Sequence, residues 1–135
     1  MKLTKKEAKK IGDFYRDYFC DVILPLCFIN GYEVRTTVKP TDDGERVFSV
    51  KVNFPYRLIE FFVRERAVDY YRERKFDEMR QSLFHEAFHI ILWKYKEYAE
   101  SRFIEAAILR DLEEDMADQF GIILTNLYKK QKNEK

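Results

Sequence analysis

The chain is poor in glycine (4), proline (3), cysteine (2) and histidine (2) over 135 residues, and each shortage rules something out. Cys20 and Cys27 lie on either side of Pro25 in an apolar stretch, with neither C-x-x-C spacing nor a secreted context. A disulfide scaffold and a thiolate zinc cluster are thereby excluded, and buried free thiols are expected. No apolar run approaches the ~20 residues of a membrane span, and the lysine-rich N-terminus lacks the apolar core of a signal peptide. The expected setting is cytoplasmic, without membrane contact. Charge of one sign is also missing: the net charge is +1, which argues against a nucleic-acid partner. The stretch "RERAVDYYRERK" (64–75) interleaves arginines with tyrosines, but Glu65, Asp69 and Glu73 offset the charge at helical spacing, as on a solvated face.

Low-complexity segments, repeats and linkers are absent too, so residues 1–135 read as one domain. A hydrophobic fraction of 46% suffices for a core, since a domain of this length buries roughly two-thirds of its unfolded surface.

With so few breakers, the apolar period outlines the elements. Ile11, Phe14, Tyr15, Tyr18, Phe19, Val22 and Ile23 recur at helical spacing, predicting a helix over 4–24 that ends at Pro25. After Gly31 the period drops to two. Tyr32, Val34, Thr36 and Val38 alternate with polar residues, as do Phe48, Val50, Val52 and Phe54 beyond the turn "PTDDGE". This pattern predicts a β-hairpin with one apolar face. From Tyr56 to Phe120 there is no glycine or proline, which favours helices. One is expected over about 57–73, with "IEFFV" as an alternative third strand, then helices over about 77–98 and 103–129. The fold class is α+β, with an N-terminal helix, a small antiparallel sheet and C-terminal helices.

Both histidines of the chain fall in "SLFHEAFHIIL" (82–92), four residues apart. On a helix that spacing puts His85 and His89 side by side, able to share one metal ion. Glu86 is placed as a general base toward a zinc-bound water. A random chain of this length contains H-E-x-x-H only about once in several hundred. Phe84, Ala87, Phe88, Ile90, Ile91, Leu92 and Trp93 make the helix apolar nearly all round. Buried imidazoles and a buried carboxylate need partners, and a metal satisfies them together.

Zinc at a catalytic site takes three protein ligands as a rule, and there is no third histidine. The third ligand must then be a carboxylate or a cysteine, and the acidic residues of "RDLEEDMADQFGIIL" (110–124) are the obvious source, with Glu113 and Glu114 as alternatives. At about 100° per residue, Glu113 lies at the margin of a wide apolar stripe (Leu109, Leu112, Met116, Phe120, Ile123, Leu127). Glu114 shares a stripe with the small residues Ala107, Ala117, Gly121 and Thr125, which permits close helix approach and favours Glu114. Asp118, one turn on, is placed to accept a hydrogen bond from a ligand imidazole.

The pair His85-Glu86-x-x-His89 and Glu114-x-x-Ala117-Asp118-x-Phe120-Gly121 resembles the gluzincin metallopeptidases. Its second part is similar to the E-x-x-A-[N/D]-x-F-[A/G] signature of ImmA/IrrE-type peptidases, and the layout resembles small phage-type metallopeptidases. The resemblance implies a minimal zincin-like fold, Zn²⁺ held by His85, His89 and Glu114, Glu86 as catalytic base, Asp118 behind the ligands, and a peptide or protein substrate. It differs from SprT-like proteases, which complete the site with a third histidine. Many gluzincins also stabilise the oxyanion with His or Tyr, for which Tyr95, Tyr98 and Tyr128 are candidates here. A zinc-stabilised, non-catalytic accessory protein is the alternative function.

Overall fold

The computed structural model describes residues 3–39, 46–53, 56–100 and 106–133, without the side chains of 94–100, 106–109, 112 and 133. The predicted turn at 40–45 and Phe54 lie outside the described residues, as do the side chains of Tyr95, Tyr98, Ala107, Leu109 and Leu112.

Helix α1 (Lys5–Tyr18) is capped by Thr4, whose Oγ1 accepts the Glu7 N–H at 3.1 Å. The helix does not stop at Pro25. It widens into a π-helical turn (Phe19–Ile23), where the Leu24 N–H reaches back to the Phe19 carbonyl, and ends in a last turn at Leu24–Leu26. A proline ring collides with the carbonyl four residues back in a regular α-helix, and the wider turn relieves that clash. Phe28 then stands where glycine would normally end a helix. Its φ is 58°, and the N–H groups of Phe28 and Ile29 bond to the Pro25 and Leu24 carbonyls.

Strands β1 (Glu33–Lys39), β2 (Phe48–Asn53) and β3 (Leu58–Arg64) form one sheet in the order β1-β3-β2. The predicted hairpin is therefore corrected. β1 pairs with β3 in parallel, β2 pairs with β3 antiparallel, and the two expected hairpin strands are kept apart by the third. The helix expected over 57–73 begins only at Glu65, and "IEFFV" is the central strand. A central position explains its composition. Ile59, Phe61 and Val63 are wholly buried on one face, while Phe62 on the other lies beneath the Lys39 and Arg64 cations, at 4.9 and 5.2 Å from its ring centre. Apolar residues on both faces hide the period of two.

Helix α2 (Glu65–Arg72) follows β3 and ends on Arg74 (φ 56°) with the same pair of closing bonds seen at Phe28. Helices α3 (Phe76–Glu100) and α4 (Ala106–Asn133) complete the fold. Their bounds agree with the predicted 77–98 and 103–129 to within a few residues. Among the described residues no helix is long and apolar enough to cross a membrane.

The core lies between one face of the sheet and helices α1 and α3. Tyr15 of α1 and Phe19 of the π-helical turn meet Phe48, Ile59, Phe61 and Val63 of the sheet and Leu83, Phe84 and Ala87 of α3, all buried. Phe19 stacks on Phe61 with ring centres 4.6 Å apart, and the Tyr15 hydroxyl donates to the Ala67 carbonyl. Cys20 and Cys27 are free but only half-buried, sitting at the core's edge rather than inside it. Burial pushes the Cys27 thiol up to about 11.

Candidate metal centre

Helix α3 runs beneath the β2 edge of the sheet and carries His85, Glu86 and His89. Helix α4 packs antiparallel to it, and small side chains let the two approach. Ala117, Gly121 and Thr125 are buried along the contact. A Cβ on Gly121 would meet the Gln81 carbonyl oxygen at 3.0 Å and the His85 nitrogen at 3.3 Å, both backbone atoms. The Thr125 hydroxyl donates to the Gly121 carbonyl at 2.7 Å. The large apolar stripe of α4 faces elsewhere: Met116, Phe120, Ile123 and Leu127 remain exposed, with Phe120 stacked on Phe88.

This close packing brings the predicted residues together. Both imidazoles present Nε2 to Glu114, His89 at 2.9 Å from Oε1 and His85 at 3.3 Å from Oε2, and the two Nε2 atoms are 3.0 Å apart. Each Nδ1 has its own carboxylate: Asp118 Oδ1 for His85 at 2.6 Å and Glu113 Oε1 for His89 at 2.8 Å. A carboxylate can only accept, so each Nδ1 carries a proton, and it is the Nε2 atom of each ring that faces inward and would be left to bind a metal ion. Asp118 stands behind His85, as expected. Glu113 is not a third ligand atom of the group; it lies behind His89, buried, where Glu114 is half in solvent.

The donor set suits a metal ion. His85, His89 and Glu114 each offer one ligand atom, and these lie within 4.8 Å of one another. Ligand atoms of a tetrahedral ion with bonds of about 2.0–2.2 Å stand about 3.3–3.6 Å apart, so the observed 2.9, 3.0 and 3.3 Å would need to open by a few tenths of an ångström to admit one. Electrostatics agree. Burial alone would depress both imidazoles, but the Glu114 hydrogen bond and the Glu86 charge outweigh it, leaving His85 above its ordinary value and His89 at about 9. The same two imidazole bonds hold Glu114 well below the usual carboxylate range. The carboxylates thus draw positive charge to the point between the Nε2 atoms, a demand that a divalent cation would meet by displacing the Nε2 protons.

Glu86 lies beside this group, buried, and its burial raises its carboxyl to about 7 against the opposing pull of the two imidazoles. It lines a cleft of about 580 Å³ that His85, His89, Glu113, Glu114 and Asp118 share. The cleft is walled by Phe48, Ser49 and Val50 of β2, and by Arg46, Trp93 and Arg110. Sequence reasoning missed these wall residues. Trp93 was within reach, standing one turn past His89 on the same helical face. Arg46 and Arg110 sit beside Glu45 and Asp111 in the chain and pass for surface charges until β2 and α4 are placed. Of the oxyanion candidates, Tyr128 is excluded. It is 14 residues beyond Glu114, or about 21 Å along the helix, where it packs under Arg80 and lines a separate groove.

Comparisons of the chain with protein-family models, curated proteins and solved structures returned no match.

Proposed function

We propose that this chain is a zinc-dependent metallopeptidase of minimal zincin-like fold, with His85, His89 and Glu114 as metal ligands and Glu86 as general base. One observation carries the reading: two Nε2 atoms and the Glu114 carboxylate converge beside a buried glutamate in an open cleft. The resemblance of both motifs to gluzincins supports zinc as the metal.

Zinc held there supplies Lewis acidity, polarising a peptide carbonyl and acidifying a water molecule. Glu86 is placed to act as the base, and would take a proton from an attacking water and return it to the departing amine nitrogen. Asp118 and Glu113 keep the Nδ1 protons in place and so fix the orientation of both ligand rings. Substrate binding falls to β2. It is an edge strand of the sheet and lines the cleft, so an extended peptide can add to it as a further strand above the metal group.

A metal that only stabilises the fold is the competing reading, and the open cleft with a glutamate at the group disfavours it, since structural sites are closed by four protein ligands. Zinc-loaded wild type and Glu86→Gln, assayed on an unfolded protein substrate, separate the two. Equal zinc content with activity lowered about 10²–10⁴-fold, the usual worth of a general base, is the expected result. Undiminished cleavage by Glu86→Gln, or no cleavage by the zinc-loaded wild type, overturns the catalytic reading.

A further inference from the structure

Two cations in the cleft have no part in the proposed chemistry. Arg46 enters the cleft from the start of β2, and Arg110 from α4, one turn before Glu114. Both are exposed, and neither makes an ion pair or a hydrogen bond with a described residue. Several arginines elsewhere on the surface differ. Arg16, Arg35, Arg72 and Arg80 each hold a carboxylate within 3.5 Å. Three of the four carboxylates of the cleft, Glu113, Glu114 and Asp118, are held by the imidazoles, and the fourth, Glu86, is buried and feels the charge of Arg46 without an ion pair or hydrogen bond to it. The arginines therefore reach into the space a ligand would occupy with five N–H donors each and no acceptor.

We propose that Arg46 and Arg110 form a carboxylate-binding subsite, so that the peptides this cleft selects carry a carboxylate close to the bond above the metal group. Guanidinium groups match a carboxylate with paired hydrogen bonds. The two arginines come from different parts of the fold, the segment leading into β2 and helix α4, so a carboxylate held by both would also fix how far along the β2 edge the peptide lies. Trp93 gives the same cleft an apolar wall for a neighbouring side chain. This deepens the peptidase reading, on which it rests for its biological meaning. The carboxylate has two possible sources, an acidic side chain or the free C-terminus of the peptide.

Trp93 is the sole tryptophan of the chain and lines the cleft, so its fluorescence reports occupancy without turnover. The test titrates full-length Glu86→Gln protein, with zinc added and at low salt, with three tetrapeptides of otherwise equal sequence. One is neutral and blocked at both ends, one is blocked but carries a glutamate, and one has a free C-terminal carboxylate. At least one carboxylate peptide should bind about tenfold tighter than the neutral one, as expected for a charge-assisted hydrogen bond. The peptide that gains identifies the source. In the Arg46→Ala/Arg110→Ala double variant the preference should fall below about twofold while the neutral peptide binds as before. Equal binding of all three peptides to the parent protein, or a preference that survives the double variant, overturns the proposal. Zinc content and cleavage are measured separately, so loss of the peptidase reading with the arginine-dependent preference intact remains distinguishable from loss of the subsite.

Discussion

The sheet core and the α3–α4 seam are built on opposite rules. In the core, large rings fill the space: Phe61 stacks between Phe19 and Phe48, at 4.6 and 5.3 Å, with nothing polar between them. At the seam, residues without bulk, Ala117, Gly121 and Thr125, bring two helices together so that polar groups can meet. The core removes apolar surface from water and holds the fold. The seam pairs charges at the edge of water, Glu114 and Asp118 being half or more exposed, which adds little net stability but sets the positions of His85, His89 and Glu114. Stability and chemistry should therefore separate when each region is altered.

The largest effect is expected in the core. Phe61→Ala should cost about 3–5 kcal/mol of unfolding free energy, measured by denaturant titration of metal-free protein, with zinc affinity preserved in whatever fraction remains folded. Gly121→Val is next. It forces a side chain onto backbone atoms of α3 at 3.0 and 3.3 Å, so about 1–3 kcal/mol should be lost. Here zinc affinity should fall as well, by about tenfold or more, because the helices that carry the ligands are pushed apart. A variant that loses stability and keeps full zinc affinity would show that the close approach is not what assembles the site.

Smaller still are changes behind the ligands. Asp118→Asn and Glu113→Gln should each weaken zinc binding about 10–100-fold by releasing an imidazole from its fixed tautomer, as read by competition with a chelator. The Asp118 variant should leave metal-free stability within about 0.5 kcal/mol, since that side chain is largely exposed. The smallest effect lies outside both regions. Phe28 adopts φ 58° with 89% of its surface exposed, so Phe28→Gly should stabilise the protein by roughly 0.5–1 kcal/mol and leave zinc affinity unchanged.

The two regions also differ in how well the sequence foretells them. The seam is readable because both its signals are local to one helix each: His85 and His89 at a spacing of four, and Glu114 on the small-residue side of α4. The role of Glu113 is harder to see. Its place at the margin of the apolar stripe agrees with its burial, but whether it would bind metal or an imidazole depended on where His89 lies across the seam. The core is less readable, because strand order is a long-range property. Alternation in β1 and β2 shows two strands with an apolar face and leaves open what lies between them. The element that does, β3, conceals its period with Phe62 on the outer face. The terminus of α1 was misjudged for a different reason: the π-helical turn lets Pro25 sit inside a helix that its presence alone appears to end.

The proposed chemistry depends on one arrangement, three side chains from two helices placed so that they could hold one ion. The most direct measurement is zinc content with X-ray absorption spectroscopy on wild type, Glu86→Gln and Glu114→Ala. The prediction is one zinc per chain bound by two imidazoles and a carboxylate in wild type and Glu86→Gln, and zinc bound at least about a hundredfold more weakly in Glu114→Ala. A protein that takes up no zinc, or one whose zinc is indifferent to Glu114→Ala, would contradict it.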